Sequence, residues 1–154
     1  MGFSGIALEA WSAQMQVMAW RDYEVATWRA GNGPALLLIH GFPTASWDWA
    51  SLWPRLSERF SLHAADMLGY GLSSKPRGHD YPIAEQADLQ HALLRAHGVR
   101  EAHLLVHDYG VTVAQELLAR QHEGSLEGLT IKSACFLNGG LFPDAHRPRP
   151  IQKL

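Results

Sequence analysis

The chain has 154 residues, 47% of them hydrophobic, and a formal net charge of −2, which is the size of one ordinary domain able to bury a core. Its mixed charges form no basic stripe and no block of like sign, which argues against nucleic acid or an anionic membrane as partner and favours a small, roughly neutral substrate. No run approaches the roughly 20 apolar residues of a membrane-spanning helix, and one cysteine allows no internal disulfide.

The start, "MGFSGIALEAWSAQM", lacks the basic n-region of a signal peptide, and a cytoplasmic location is expected. "YEVATWRAG" alternates apolar and polar residues and predicts a half-exposed antiparallel strand at a sheet edge. "ALLLIHG" is continuously apolar and predicts a buried parallel strand. "WDWASLWPRLSERF" puts Trp49, Leu52, Trp53, Leu56 and Phe60 on one helical face, interrupted by Pro54. "SLHAAD" then returns as a strand. After the turn "MLGYGLSSKPRG" comes a helix from Pro82 to His97, with Gly98 as its C-cap. The strand "AHLLVH", a helix from about Gly110 to Gln121 and the strand "IKSACFLN" complete the pattern. Cys135 in that last strand is expected as a buried thiol in a reducing compartment. The tail "GGLFPDAHRPRPIQKL", with three prolines after Phe142, reads as an exit from the sheet. Strands separated by such helices predict an α/β fold with a mostly parallel sheet and flanking helices.

In an open parallel sheet, sites form where loops leave the carboxyl ends of the strands. Three loops here have that position: "HGFPTAS" from His40, "DMLGYGLSS" from Asp66 and "HDYG" from His107. The sharp bend at Asp108 admits two readings. Asp is among the commonest helix caps; it also suits the tip of a strand-to-helix elbow, where a small residue two positions on relieves crowding against the helix, here Gly110. A second "HDY" at His79–Tyr81 has no apolar strand before it and Pro82 after it, and reads as a turn opening a helix. His63, His91, His97, His103 and His122 lie away from strand carboxyl ends and read as surface or core residues. Trp47 and Trp49 read as packing residues. His107 is expected to point away from the side of Asp108.

The ordered set "LLLIHGFP", "AADMLGYGLSSKP" and "LLVHDYGVTVAQELL" resembles the α/β-hydrolase fold, in the branch containing epoxide hydrolases and haloalkane dehalogenases. The likeness runs through nearly everything after about Asp22. It implies that Asp108 is a nucleophile that attacks an sp³ carbon and forms an alkyl-enzyme ester, which water activated by a histidine then opens. It implies an oxyanion hole from the backbone N–H groups of Phe42 and Tyr109. His40, Gly41, Pro43 and Gly110 would shape the loops, Pro43 through a cis peptide, while Asp66 ties down its own turn. No cofactor and no metal are implied.

The resemblance also places the family's base, a histidine after the last strand, and its acid partner beyond "IKSACFLN". The 154 residues are therefore expected to be the N-terminal half of such an enzyme: 1–142 as part of the core, truncated after about the sixth strand, and 143–154 as the start of a lid. His146 in that segment is not the expected base. The half-enzyme is expected to be inactive and to self-associate through its exposed sheet edge. Departures bear on substrate: Tyr109 and Phe42 replace the tryptophan and asparagine usual in haloalkane dehalogenases, which demotes a halide, while epoxide hydrolases also usually carry tryptophan at 109 and a glycine where Val111 stands, which are departures from that group too. Alternatives are a catalytically silent scaffold of the same fold and a haloalkane dehalogenase; ester or acyl transfer is disfavoured by the absence of Ser at 108.

Overall fold

Ala35–Ile39 is apolar throughout because both faces of the strand it forms are covered. In the computed structural model, which describes residues 5–139, Leu37 and Ile39 enter one buried cluster and Leu36 and Leu38 a second on the opposite face. The elements in order are α1 (Leu8–Ser12), β1 (Gln16–Trp20), β2 (Tyr23–Ala30), β3 (Ala35–Ile39), a 3-10 turn (Ser46–Trp49), α2 (Trp53–Ser57), β4 (Ser61–Ala65), α3 (Ile83–Ala96), β5 (Glu101–His107), α4 (Tyr109–His122) and β6 (Thr130–Leu137).

One six-stranded sheet runs β1-β2-β4-β3-β5-β6. The four strands from β4 to β6 pair in parallel, and β1 and β2 join antiparallel, so the sheet is mixed with a parallel majority. The first cluster lies against α3 and α4 and includes Leu89, Leu93, Val113 and Leu117. The second is built around tryptophans: Trp11 stacks on Trp28 with centroids 5.1 Å apart and meets Trp53 edge-on at 4.9 Å. Trp28 Nε1 also donates to the Trp11 carbonyl at 2.8 Å.

Several expectations are corrected. Tyr23–Ala30 is not the edge strand; Gln16–Trp20 pairs on its outer side, and Val25, Ala26 and Trp28 are buried. The stretch after Ser46 is no single helix, because Pro54, which lacks the N–H an interior position needs, sits in the first turn of α2 and makes that turn a start. The apolar face nevertheless holds: Trp49 and Trp53 are buried, and Leu52, Leu56 and Phe60 pack against them. Cys135 is exposed, not buried. It shares a face with Leu137, which is 40% exposed, because α4 covers only the other side of β6, where Ala134 and Phe136 pack. Positions 143–154, including His146, lie outside the described residues. None of the described helices is long and apolar enough to cross a membrane.

Candidate active site

Since β4, β3 and β5 are neighbours in the sheet, the loops that follow them emerge side by side at their carboxyl ends. The three segments, distant in sequence, thereby meet at Asp108.

Asp108 has φ +50° and ψ −121°, outside the extended backbone of an ordinary N-cap. Its amide donates to the Leu137 carbonyl and its carbonyl accepts from Val111 N–H, both at 3.0 Å. These bonds pin the bend from β6 on one side and α4 on the other. The side chain is exposed. Its Oδ1 accepts from Tyr109 N–H at 2.6 Å and, across 66 residues, from Phe42 N–H at 2.8 Å. Among the described residues nothing donates to Oδ2. A cap alone would bond amides one turn into its own helix; this carboxylate instead bridges two loops and leaves one oxygen open.

Gly110 is required by contact. A Cβ there would lie 2.5 Å from the Ile39 carbonyl oxygen and 2.7 Å from that of His40, so the end of β3 crowds this position. A Cβ at Gly41 would lie 2.6 Å from Asp108 Cβ; glycine is what lets the two loops touch. Val111 is fully buried, and Gly139 makes room for it, since a Cβ at 139 would lie 2.2 Å from a Val111 methyl. The bulk noted at 111 is thus matched across the elbow.

His40 is fully buried. Its Nε2 accepts from Met67 N–H at 3.0 Å, which leaves Nδ1 to donate to the Gly41 carbonyl at 2.9 Å. Burial, the dominant cause, lowers its pKa, so the ring stays neutral and ties the loop after β3 to the loop after β4. The Phe42–Pro43 peptide is cis. Asp66 does more than hold its own turn: Oδ2 accepts from Leu72 N–H at 2.7 Å, while Oδ1 accepts from Ser46 N–H and Oγ at 2.8 and 2.6 Å. It is 1% exposed and therefore acts as a buried anchor.

Phe42, Tyr70 and Tyr109 form an aromatic wall beside the carboxylate, Tyr70 meeting Phe42 edge-on at 6.4 Å and lying 6.2 Å from Tyr109. Burial first, then the Asp108 charge, raises the Tyr70 pKa; burial, then Tyr70, raises that of Tyr109. Both phenols are protonated at neutral pH. Phe42, Trp47 and Leu72 are large apolar side chains left exposed. Trp47 is thus no core residue, though its indole N–H donates to Ile6 carbonyl at 3.0 Å.

Two residues of this site were not legible in the sequence. Asp48 lies on the 3-10 turn and carried no motif, and His107 was expected to face away. His107 Nε2 lies 2.9 Å from Asp48 Oδ2, and its ring meets Trp49 edge-on at 5.1 Å. His63, by contrast, is a core residue as read, paired through Nδ1 with His97 Nδ1 at 3.0 Å.

A mixed sheet with a glycine-flanked strand-to-helix elbow facing a glycine-proline loop is the arrangement of the α/β-hydrolase fold. A family model described as alpha/beta hydrolase fold matches residues 34–148, and the chain belongs to that family. It is 44% identical to the mesoderm-specific transcript homolog protein of Homo sapiens, over 96% of this chain and 46% of that protein. It is 38% identical to a fluoroacetate dehalogenase of a Burkholderia species, over 66% of this chain and 34% of that one. Among solved structures, haloalkane dehalogenase DbeA of Bradyrhizobium elkani superposes with a TM-score of 0.71 at 29% identity, covering 81% of this chain and 41% of that one. The chain spans about half the length of the curated relatives it matches.

Proposed function

We propose that Asp108 is the nucleophile of an epoxide hydrolase-like reaction carried out by the whole protein. The observation that carries the reading is the split carboxylate: Oδ1 held by the Phe42 and Tyr109 amides and Oδ2 open. In the first step an Oδ2 lone pair attacks an epoxide carbon, the ring C–O bond breaks, and the ring oxygen leaves with the electron pair and takes up a proton. The product is an ester on Asp108. Water then adds to Asp108 Cγ, the negative charge develops on Oδ1, and the same two N–H groups hold it. Collapse breaks the Cγ–Oδ2 bond and releases the diol, which leaves a water oxygen in the carboxylate. No reorganisation is needed, because the donors already sit at hydrogen-bond distance.

Because relatives run to about twice this length, we assign the histidine that activates water to the rest of the protein and multiple turnover with it. A second reading, halide displacement by the same carboxylate, is supported by the dehalogenases to which the chain is similar; Phe42 and Tyr109, which supply no side-chain N–H to a halide, weigh against it. The test is product stoichiometry. The purified chain should consume styrene oxide to no more than about one equivalent and then stop, as covalent capture without release requires, and should release less halide from 1-chlorobutane. Sustained turnover abolished by Asp108→Asn would contradict the assignment of the base. Absence of any Asp108-dependent consumption would contradict the nucleophile itself.

A further inference from the structure

The two amides facing Asp108 come from different elements, and something must hold them at that spacing. Tyr109 is fixed by α4, but Phe42 stands in an exposed loop. Its partners lead back to one carboxylate. Asp48 Oδ2 accepts from Thr44 Oγ1 and from His107 Nε2, the latter at 2.9 Å; because a carboxylate only accepts, Nε2 carries the proton. With the Thr44 hydroxyl proton given to Asp48, Thr44 N–H donates to the Gly41 carbonyl at 3.3 Å, in the peptide whose N–H is that of Phe42. His107 precedes Asp108. His107 Cε1 and Asp108 Oδ1 lie 2.9 and 3.0 Å from the point where a side chain at Gly41 would begin.

We infer, resting on the nucleophile reading, that Asp48 is a positioning residue: it closes a ring of contacts from His107 through Asp48 and Thr44 to Gly41–Phe42, and back to Asp108. The strut ties the loop after β3 to the strand that carries the nucleophile and sets the distance between Phe42 N–H and Oδ1. Asp48 and His107 are each 25% exposed, and Thr44 is exposed. The role of the strut is geometric: removing the acceptor frees Thr44 and His107 together, and the loop loses its register to the elbow.

The experiment compares Asp48→Ala and Asp48→Asn with the parent chain by two readouts. Hydrogen exchange of the Phe42 amide, followed by NMR, reads position without chemistry, and the rate of Asp108 alkylation by styrene oxide reads consequence. Asp48→Ala is expected to speed Phe42 exchange and slow alkylation, each by roughly tenfold or more, since small misplacements carry such penalties. Amides in β3 such as Leu38 should keep their protection. Asp48→Asn retains an acceptor oxygen and should stay within about threefold of the parent. Thr44→Val and His107→Gln each remove one arm and should give smaller changes of the same sign, which keeps the test informative if Asp48→Ala does not fold. Parent-like Phe42 exchange in Asp48→Ala, or Asn as damaging as Ala, would overturn the strut. A strut seen in exchange with no alkylation of the parent would instead overturn the nucleophile and leave the strut standing.

Discussion

His107-Asp108-Tyr109 and His79-Asp80-Tyr81 are the same tripeptide in two settings. The first follows β5 and is followed by Gly110; the second follows a loop and is followed by Pro82, the N-cap of α3. Positive φ falls on Asp108 at +50° in the first copy and on Tyr81 at +49° in the second. One position of difference decides which side chain stands at the tip. Asp108 accepts from two backbone amides, whereas in the second copy His79 is the acceptor, taking Tyr81 N–H at 2.9 Å and lying 3.0 Å from Glu85. The Tyr81 hydroxyl is spent on the Pro76 carbonyl at 2.8 Å. The tripeptide has no chemistry of its own; the strand before it and the glycine after it create the site.

The comparison can be broken most sharply at the two aspartates. Asp108→Asn should abolish covalent capture of an epoxide, while Asp80→Asn should leave it at the parent rate; intact-protein mass spectrometry reads both. Next come the flanking glycines. Gly110→Ala drives a Cβ against β3 backbone that cannot move aside and should cost about 3 kcal/mol by overpacking. Gly78→Ala, just before the second copy, meets nothing within 4 Å and has φ +67°, so only the left-handed penalty of about 1 kcal/mol applies. Urea unfolding midpoints test the pair.

Acid sensitivity is expected from a buried histidine of the core. Burial, reinforced by His97 and Arg29, pushes the His63 pKa down to about 4 from 6.5. The folded chain then binds fewer protons than the unfolded chain between those values. Stability is accordingly full above pH 6.5 and falls as pH drops toward 4, by up to roughly 3 kcal/mol. Stability against pH should lose part of its slope in His63→Gln, the rest staying with buried His40, whose pKa is lowered in the same direction. The smallest effect is expected at Cys135, whose exposure predicts a change under about 0.5 kcal/mol for Cys135→Ser, where a buried thiol would cost more.

The parallel strand β3 was legible because a strand covered on both faces must be apolar throughout, as "ALLLI" is. The elbow was legible because its sterics demand small residues at fixed offsets. β1 and α1 were not: "QVMAW" is mostly exposed or half-buried, and the five-residue α1 has no capping hydrogen bond from a side chain and is too short to show a period. Cys135 was misplaced because an apolar run does not say which face of a strand finds a partner. Asp48 was invisible for a different reason. Its meaning comes from bringing Thr44 and His107 to one oxygen, a relation that spacing along the chain does not encode.

Asp108 Oδ2 is proposed as a nucleophile held ready by two amides on Oδ1. The most direct measurement is peptide mapping by mass spectrometry after the chain is incubated with excess styrene oxide. An ester adduct on Asp108, released by hydroxylamine and missing from Asp108→Asn, is the expected result. An unmodified Asp108 alongside reagent fixed on Asp80, Cys135 or a histidine would contradict it.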